Sequence, residues 1–116
     1  MKTSKKDFYY FRERCLHYIE KFKITAWGIS IIHGDSLEGS KACCRFHYKG
    51  AQASIHLSDK WGKHPITEAE LDHTAKHEVI HLLTGRLYII GNSRYAIEDE
   101  IEQANEETVE HLCKLL

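Results

Sequence analysis

The first part of the chain carries apolar residues at the spacing of an amphipathic α-helix. Within Asp7–Phe22 they recur every three or four positions, which places them on one face of a helix. These residues are Phe8, Phe11, Cys15, Ile19 and Phe22. The pattern predicts an N-terminal helix over Asp7–Phe22 whose apolar face packs against the rest of the protein.

Three stretches with the composition of β-strands follow this helix. They lie at Ala26–His33, Ala42–Tyr48 and Ala51–Leu57. A glycine-containing loop over Gly34–Ser40 separates the first two stretches, and a short turn at Lys49–Gly50 separates the second from the third. The pattern predicts a three-stranded antiparallel sheet.

A second amphipathic helix is predicted to begin after Thr67. Thr67 suits the N-cap position, and Glu70, three residues later, completes a capping box. Apolar residues then recur at helical spacing, and Gly85 followed by Arg86 predicts the end of the helix. The apolar residues of this stripe are Leu71, Ala75, Val79, Leu82 and Leu83.

The last segment, Ala96–Leu116, begins with acidic residues and continues with a further helical stripe. The stripe consists of Ile101, Ala104, Thr108, Val109, Leu112, Cys113 and Leu116. The predicted fold is therefore α+β, with an N-terminal helix, the sheet, a second helix and an acidic C-terminal helix. A length of 116 residues fits one domain over residues 1–116.

Composition and charge exclude several classes of protein. The formal net charge is −1, which gives no argument for binding to nucleic acid or to a membrane surface. No apolar run approaches the length of a membrane span. The four cysteines come without a secretory signal, so we expect reduced thiols and a soluble, cytoplasmic protein.

The second helix carries the residues with the clearest chemistry. His77 and His81 are four positions apart, so their imidazoles share one face and can converge on a metal ion. A catalytic zinc ion takes three protein ligands and keeps one position for water. Glu78 points about 100° away from His77 around the helix, where it can act as the general base rather than as a ligand. This His-Glu-x-x-His motif predicts Zn²⁺ as the cofactor.

The C-terminal helix contains a second motif, Asn105-Glu106 followed by Glu110. With these residues the sequence resembles the gluzincins, the thermolysin-like zinc metallopeptidases, and its short layout is similar to that of the minigluzincins of phages and bacteria. The resemblance implies Glu106 as the third zinc ligand and Glu110 as the carboxylate that orients a ligand His. Glu102 and Glu98 stay open as alternatives to Glu106.

Zinc peptidase families that take a third His are excluded by spacing. The metzincin motif needs a Gly and a His where this chain has Thr84 and Leu87. No His occurs between His81 and His111, which also excludes families whose third His follows soon after the motif.

The resemblance implies a zinc metalloendopeptidase of zincin-like fold, a hydrolase acting on a peptide or protein substrate. Glu78 would accept a proton from water and pass it to the leaving amine, and the metal would polarise the scissile carbonyl. Tyr88, Arg94 and Tyr95 are the candidates for stabilising the transition state. In such folds an edge strand pairs with the extended substrate, and Ala51–Leu57 is the candidate strand.

Other interpretations of the same residues stay open. The chain is alternatively a latent enzyme or a catalytically inactive metal-binding module for protein interaction, and its oligomeric state is not predicted. His73 lies one turn before His77 and is a candidate for the lining of the cleft. A rival zinc site of Cys43, Cys44 and His47 is disfavoured because adjacent residues of a strand face opposite sides of the sheet.

Overall fold

The computed structural model describes residues 1–35, 39–47, 50–93 and 96–115, apart from the side chain of Cys113. Helix α1 spans Lys5–Lys21, α2 spans Glu68–Gly91 and α3 spans Glu98–Leu115. Strands β1, β2 and β3 span Gly28–His33, Ala42–His47 and Gln52–Leu57. The α+β class and the predicted order of helices and strands are confirmed.

The sheet is mixed, so the prediction of an antiparallel sheet is wrong. Its strand order is β1-β3-β2, with β3 parallel to β1 and antiparallel to β2. Each strand runs opposite to the strand before it in the chain. Strand β3 therefore runs parallel to β1, and it lies beside β1 because it is inserted between β1 and β2.

This order also decides which strand lies at the edge of the sheet. Strand β3 is hydrogen-bonded on both sides, whereas β2 pairs only with β3 among the described residues. The prediction that Ala51–Leu57 forms the edge strand is therefore wrong. A sequence-local pattern does not distinguish an inserted central strand from an edge strand, because both alternate side chains in the same way.

Helix α1 begins at a complete capping box. The Ser4 hydroxyl accepts a hydrogen bond from the Asp7 backbone N–H at 3.1 Å, and the Ser4 N–H donates to Asp7 Oδ2 at 2.8 Å. The predicted apolar face is buried, with Phe11 and Cys15 fully inside the core. Helix α1 packs against α2, and the residues at the centre of the shared core are Phe11, Cys15, Ile55, Leu57, Leu71, Ala75 and Val79.

Helix α2 begins as predicted and ends later than predicted. The Thr67 hydroxyl accepts a hydrogen bond from the Glu70 backbone N–H at 3.2 Å, which confirms the N-cap. The predicted end at Gly85 is wrong, because the helix continues to Gly91. Gly85 is buried, and a Cβ there would lie 2.6 Å from Phe46 Cε1. The glycine therefore permits close packing against β2 and does not end the helix.

Helix α3 packs on the side of α2 that carries Arg86. Ala104 is buried, and Arg86 forms an ion pair with Glu107. His111 Nε2 lies 2.9 Å from the carbonyl oxygen of Phe22 and donates to it. In the part of the chain that the structure describes, no helix is both long enough and apolar enough to cross a membrane.

Candidate metal centre

His77 and His81 lie side by side on an exposed face of α2. Their ring centroids are 4.9 Å apart and their ring planes meet at 80°. One potential ligand atom from each of His77, Glu78 and His81 lies within 4.8 Å of the other two. Two imidazole nitrogens and a carboxylate are donors that zinc accepts, so the chemistry of this group fits the predicted metal.

The two imidazoles open into a cleft between α2 and β2 with a volume of about 880 Å³. The edge strand β2 forms one wall, and one face of α2 forms the other. Residues that border the cleft include Cys44, Phe46, His77, Glu78, His81 and Tyr88. The cleft is therefore open to a ligand that approaches along the edge of β2 that pairs with no other described strand.

Glu78 is the most unusual polar residue of the cleft. It is 5 % exposed, and its Oε2 atom has no hydrogen-bond partner among the described residues. Burial raises the pKa of the Glu78 carboxyl from 4.5 to about 7, because the charged form loses its hydration. A carboxyl group with this pKa can both accept and release a proton near neutral pH.

The surroundings of His81 favour the neutral imidazole, which is the protonation state that can bind a metal. Burial and the charge of the neighbouring His77 lower the pKa of the His81 imidazole. A lowered pKa keeps the ring neutral, and only a neutral imidazole nitrogen has the lone pair that binds a metal. The electrostatics of the pair therefore agree with a metal-binding role.

The predicted third ligand, Glu106, is not brought to the two histidines in this arrangement. It is exposed on α3 and does not belong to the group within 4.8 Å. Helix α3 contacts α2 through the ion pair of Glu107 with Arg86, and Arg86 follows His77 by nine residues, about 180° around the helix. The other acidic residues predicted for this role or for orienting a ligand are also exposed on α3: Glu98, Glu102 and Glu110.

The remaining predicted residues fall into two groups. Tyr88 borders the cleft, is 62 % exposed and has its ring 6.1 Å from that of Phe46. Arg94 and Tyr95 lie outside the described residues. His73 borders a smaller hollow of about 280 Å³ that His77 and Glu78 also line. His73 does not border the main cleft, so the expectation that it lines that cleft is not confirmed.

Sequence reasoning considered Cys44 only in a disfavoured zinc site with Cys43 and His47, whereas in the structure it borders the same cleft as His77 and His81. Burial, followed by the nearby charge of Glu78, raises the pKa of the Cys44 thiol to about 12. The sequence signal was the alternation of β2, in which Ala42, Cys44 and Phe46 share a face. That signal was not usable without knowing that α2 packs on this face.

Comparison of the chain with protein-family models, with curated proteins and with solved structures finds no match. The arrangement of side chains in the cleft is therefore the basis on which a function is proposed. The proposal uses three features of the cleft: the imidazoles of His77 and His81, the buried carboxylate of Glu78, and the edge strand β2 on the opposite wall.

Proposed function

We propose that this protein is a zinc-dependent metallopeptidase of the gluzincin type that hydrolyses peptide bonds. In this proposal His77 and His81 hold Zn²⁺, and Glu78 is the general base. The observation that carries the proposal is the buried Glu78 carboxylate beside two imidazoles in an open cleft, with an Oε2 atom that has no hydrogen-bond partner in the part of the chain that the structure describes. A buried acceptor without a partner costs free energy, about 1–3 kcal/mol or more for a charged group, which a purely structural residue would not justify.

The chemistry assigned to Glu78 follows from its surroundings. Its carboxylate accepts a proton from the attacking water and then donates that proton to the leaving nitrogen, so Glu78 acts first as general base and then as general acid. The raised pKa, about 7, suits this dual role because neither protonation state is strongly favoured near neutral pH. Bound zinc would supply a Lewis acid that polarises the scissile carbonyl.

The substrate is proposed to be a peptide or protein that binds along β2. This strand has one edge paired with β3, and it borders the cleft on the side where His77 and His81 lie. An extended peptide that pairs with the other edge would present its backbone to the metal-binding pair. Tyr88, exposed at the same cleft, is the described residue proposed to donate to the developing oxyanion.

From the resemblance to gluzincins we propose Glu106 as the third ligand and Glu110 as the carboxylate that orients a ligand His. This assignment requires α3 to leave the side of α2 where Arg86 and Glu107 now pair. Glu102 and Glu98 require the same movement, since all are exposed on α3. The compartment proposed for the enzyme is the cytoplasm.

A second candidate function is a metal-binding module without turnover. The carboxylate of Glu78 lies within the same 4.8 Å group as the two imidazoles, so it can itself complete a ligand set with His77 and His81. A Glu78 that binds the metal is not available to take a proton from water. The two functions therefore differ in what Glu78 contributes.

Metal analysis and proteolysis of matched variants separate these candidates. We expect wild type to hold near-stoichiometric zinc and to cleave an unfolded protein substrate. Glu78→Gln should keep zinc and lose activity by about 10²–10⁴-fold, the usual contribution of a general base. Glu68→Gln, an exposed residue in the first turn of α2, is the matched control and should change neither. Loss of zinc from Glu78→Gln would favour the non-catalytic module, and wild type without zinc would contradict both functions.

A further inference from the structure

Cys44 projects from the face of β2 that is packed against the helices. Its cross-strand partner is Ile55, which is fully buried in the core. Directly opposite residues of neighbouring strands share a face of the sheet. Phe46, two residues later, shares the same face and packs with its ring centroid 4.9 Å from that of Trp27. The Cys44 thiol is therefore directed toward α2 and borders the cleft that contains His77.

A second observation concerns Glu78, on the α2 side of the same cleft. Glu78 Oε2 is buried, has no hydrogen-bond partner among the described residues, and borders the same cleft as Cys44. Glu78 is 5 % exposed. The two imidazoles, the Cys44 thiol and the Glu78 carboxylate thus border one cleft.

We infer that Cys44, in place of the Glu106 that the gluzincin resemblance suggests, is the third protein ligand of the metal held by His77 and His81, and that Glu78 thereby stays free to act as the base. A thiolate with two imidazoles is a donor set that catalytic zinc sites use, with a zinc–sulfur distance of about 2.3 Å. On binding, the Cys44 S–H bond breaks, the proton goes to the buffer and the sulfur lone pair goes to the metal. The Cys44 sulfur lies outside the 4.8 Å group, so the side chain has to move toward the histidines.

The other soft or basic donors of β2 are less suitable. Cys43 and His47 also border the cleft, but strand alternation turns their side chains to the opposite face of the sheet. Cys43 pairs across the strand with His56, and His56 bonds to Ser54 on that opposite face. This leaves Cys44 as the cysteine of β2 whose side chain faces the helices.

The inference rests on the proposed metal site but does not depend on peptidase activity. The test is Co²⁺ substitution of the full chain, because a cobalt–thiolate bond gives a charge-transfer absorption band in the near ultraviolet that nitrogen and oxygen ligands do not give. We expect the band in wild type and its loss in Cys44→Ser. Cys43→Ser, one residue away on the other face, and Cys15→Ser, fully buried in the core, should both retain it.

Protection of the wild-type thiol is a readout that does not require the Cys44 variant to fold, and metal affinity is a second readout where the variant does fold. In wild type, Zn²⁺ should protect Cys44 from alkylation under native conditions, as measured by peptide mass spectrometry, and a chelator should restore alkylation. In a folded Cys44→Ser protein, zinc affinity should fall by about 100-fold or more, since even partners of ligands contribute 10–100-fold.

The outcomes distinguish this inference from the proposed function. A cobalt–thiolate band that depends on Cys44, in a protein without proteolytic activity, supports Cys44 as a ligand and contradicts the peptidase. Proteolysis with stoichiometric Co²⁺ and no thiolate band overturns Cys44 and supports a carboxylate such as Glu106. A band that is lost in Cys43→Ser or Cys15→Ser instead, or wild type that binds no metal, also overturns the inference.

Discussion

Gly85 of α2 and Phe46 of β2 are in such close contact that a Cβ at position 85 would lie 2.6 Å from Phe46 Cε1. The same Cβ would lie 2.9 Å from Trp27 Cζ2, and the Trp27 indole N–H donates to the carbonyl of Leu82 at 3.0 Å. This contact lies one turn after His81 and fixes how closely the edge strand approaches the helix. The width of the cleft beside the two imidazoles therefore depends on a residue without a side chain.

We expect Gly85→Ala to lower the free energy of unfolding by about 1–3 kcal/mol, the usual cost of overpacking. The better helix propensity of alanine, about 1 kcal/mol, offsets only part of this cost. Gly91→Ala is the matched control, because nothing lies within 4 Å of a Cβ there and the change should be neutral or slightly stabilising. Urea denaturation measures the free energy of unfolding of both variants. A Gly85→Ala protein as stable as Gly91→Ala would contradict the close packing of Gly85 against Phe46.

Glu78 makes the stability of the metal-free protein depend on pH. Its pKa is raised to about 7 in the folded state against 4.5 for the unfolded chain, so the folded state binds more protons between these values. Stability should therefore fall as pH rises from 4.5 to 7. Glu78→Gln removes this titrating group. Between pH 4.5 and 7, the free energy of unfolding of Glu78→Gln minus that of wild type should therefore increase by about 3 kcal/mol.

Denaturation of chelator-treated protein at several pH values measures this difference. Glu68→Gln, which is exposed on the same helix, should follow the wild-type curve within error. A difference between Glu78→Gln and wild type that does not change with pH would show that Glu78 has an ordinary pKa.

Local patterns in the sequence predicted the helices and the histidine pair. The spacing of apolar residues located α1, the Thr67 hydroxyl located the start of α2, and four-residue spacing placed His77 and His81 on one face. Each of these depends on contacts within one or two helical turns. Such contacts join residues that are close together in the sequence, so they can be predicted without knowledge of the fold.

Long-range packing decided the features that the sequence did not predict. The insertion of β3 between β1 and β2, the burial of Gly85 against Phe46, and the side of α2 that binds α3 each join residues far apart in the chain. Gly85 illustrates the difficulty, since a glycine that ends a helix and one that permits close packing look the same in sequence. The position of Glu106 relative to the histidines depends on the same kind of packing.

Asp72 links α1 to α2, and we expect its removal to destabilise the protein at neutral pH. Arg14 Nε donates to Asp72 Oδ1 at 2.5 Å, and the Tyr18 hydroxyl lies 2.9 Å from each carboxylate oxygen. Burial opposes ionisation of Asp72, but the hydrogen bonds from Arg14 and Tyr18 outweigh it and lower the pKa of the carboxyl. The stabilisation is therefore present above the unfolded pKa, about 3.9, and is lost as pH falls through the folded pKa.

The corresponding measurement is acid titration of stability for Asp72→Asn and Tyr18→Phe. We expect Asp72→Asn to lose about 1–3 kcal/mol at pH 7, as for hydrogen bonds to a charged group, and to converge with wild type in strong acid. Glu13→Gln, an exposed carboxyl on α1, should change little. A constant gap between Asp72→Asn and wild type at every pH would contradict the role of ionised Asp72.

Zinc should stabilise the folded protein through His77 and His81. A ligand that binds only the folded state adds about 2.7 kcal/mol when its free concentration is 100 times its dissociation constant. Thermal unfolding with increasing Zn²⁺ should therefore shift the Tm upward in wild type, and a chelator should reverse the shift. His77→Ala and His81→Ala should each abolish the shift, because one imidazole of the pair is lost. His73→Ala, one turn earlier on the same side of α2, should retain it. An equal shift in all four proteins would assign the stabilising zinc to a different site.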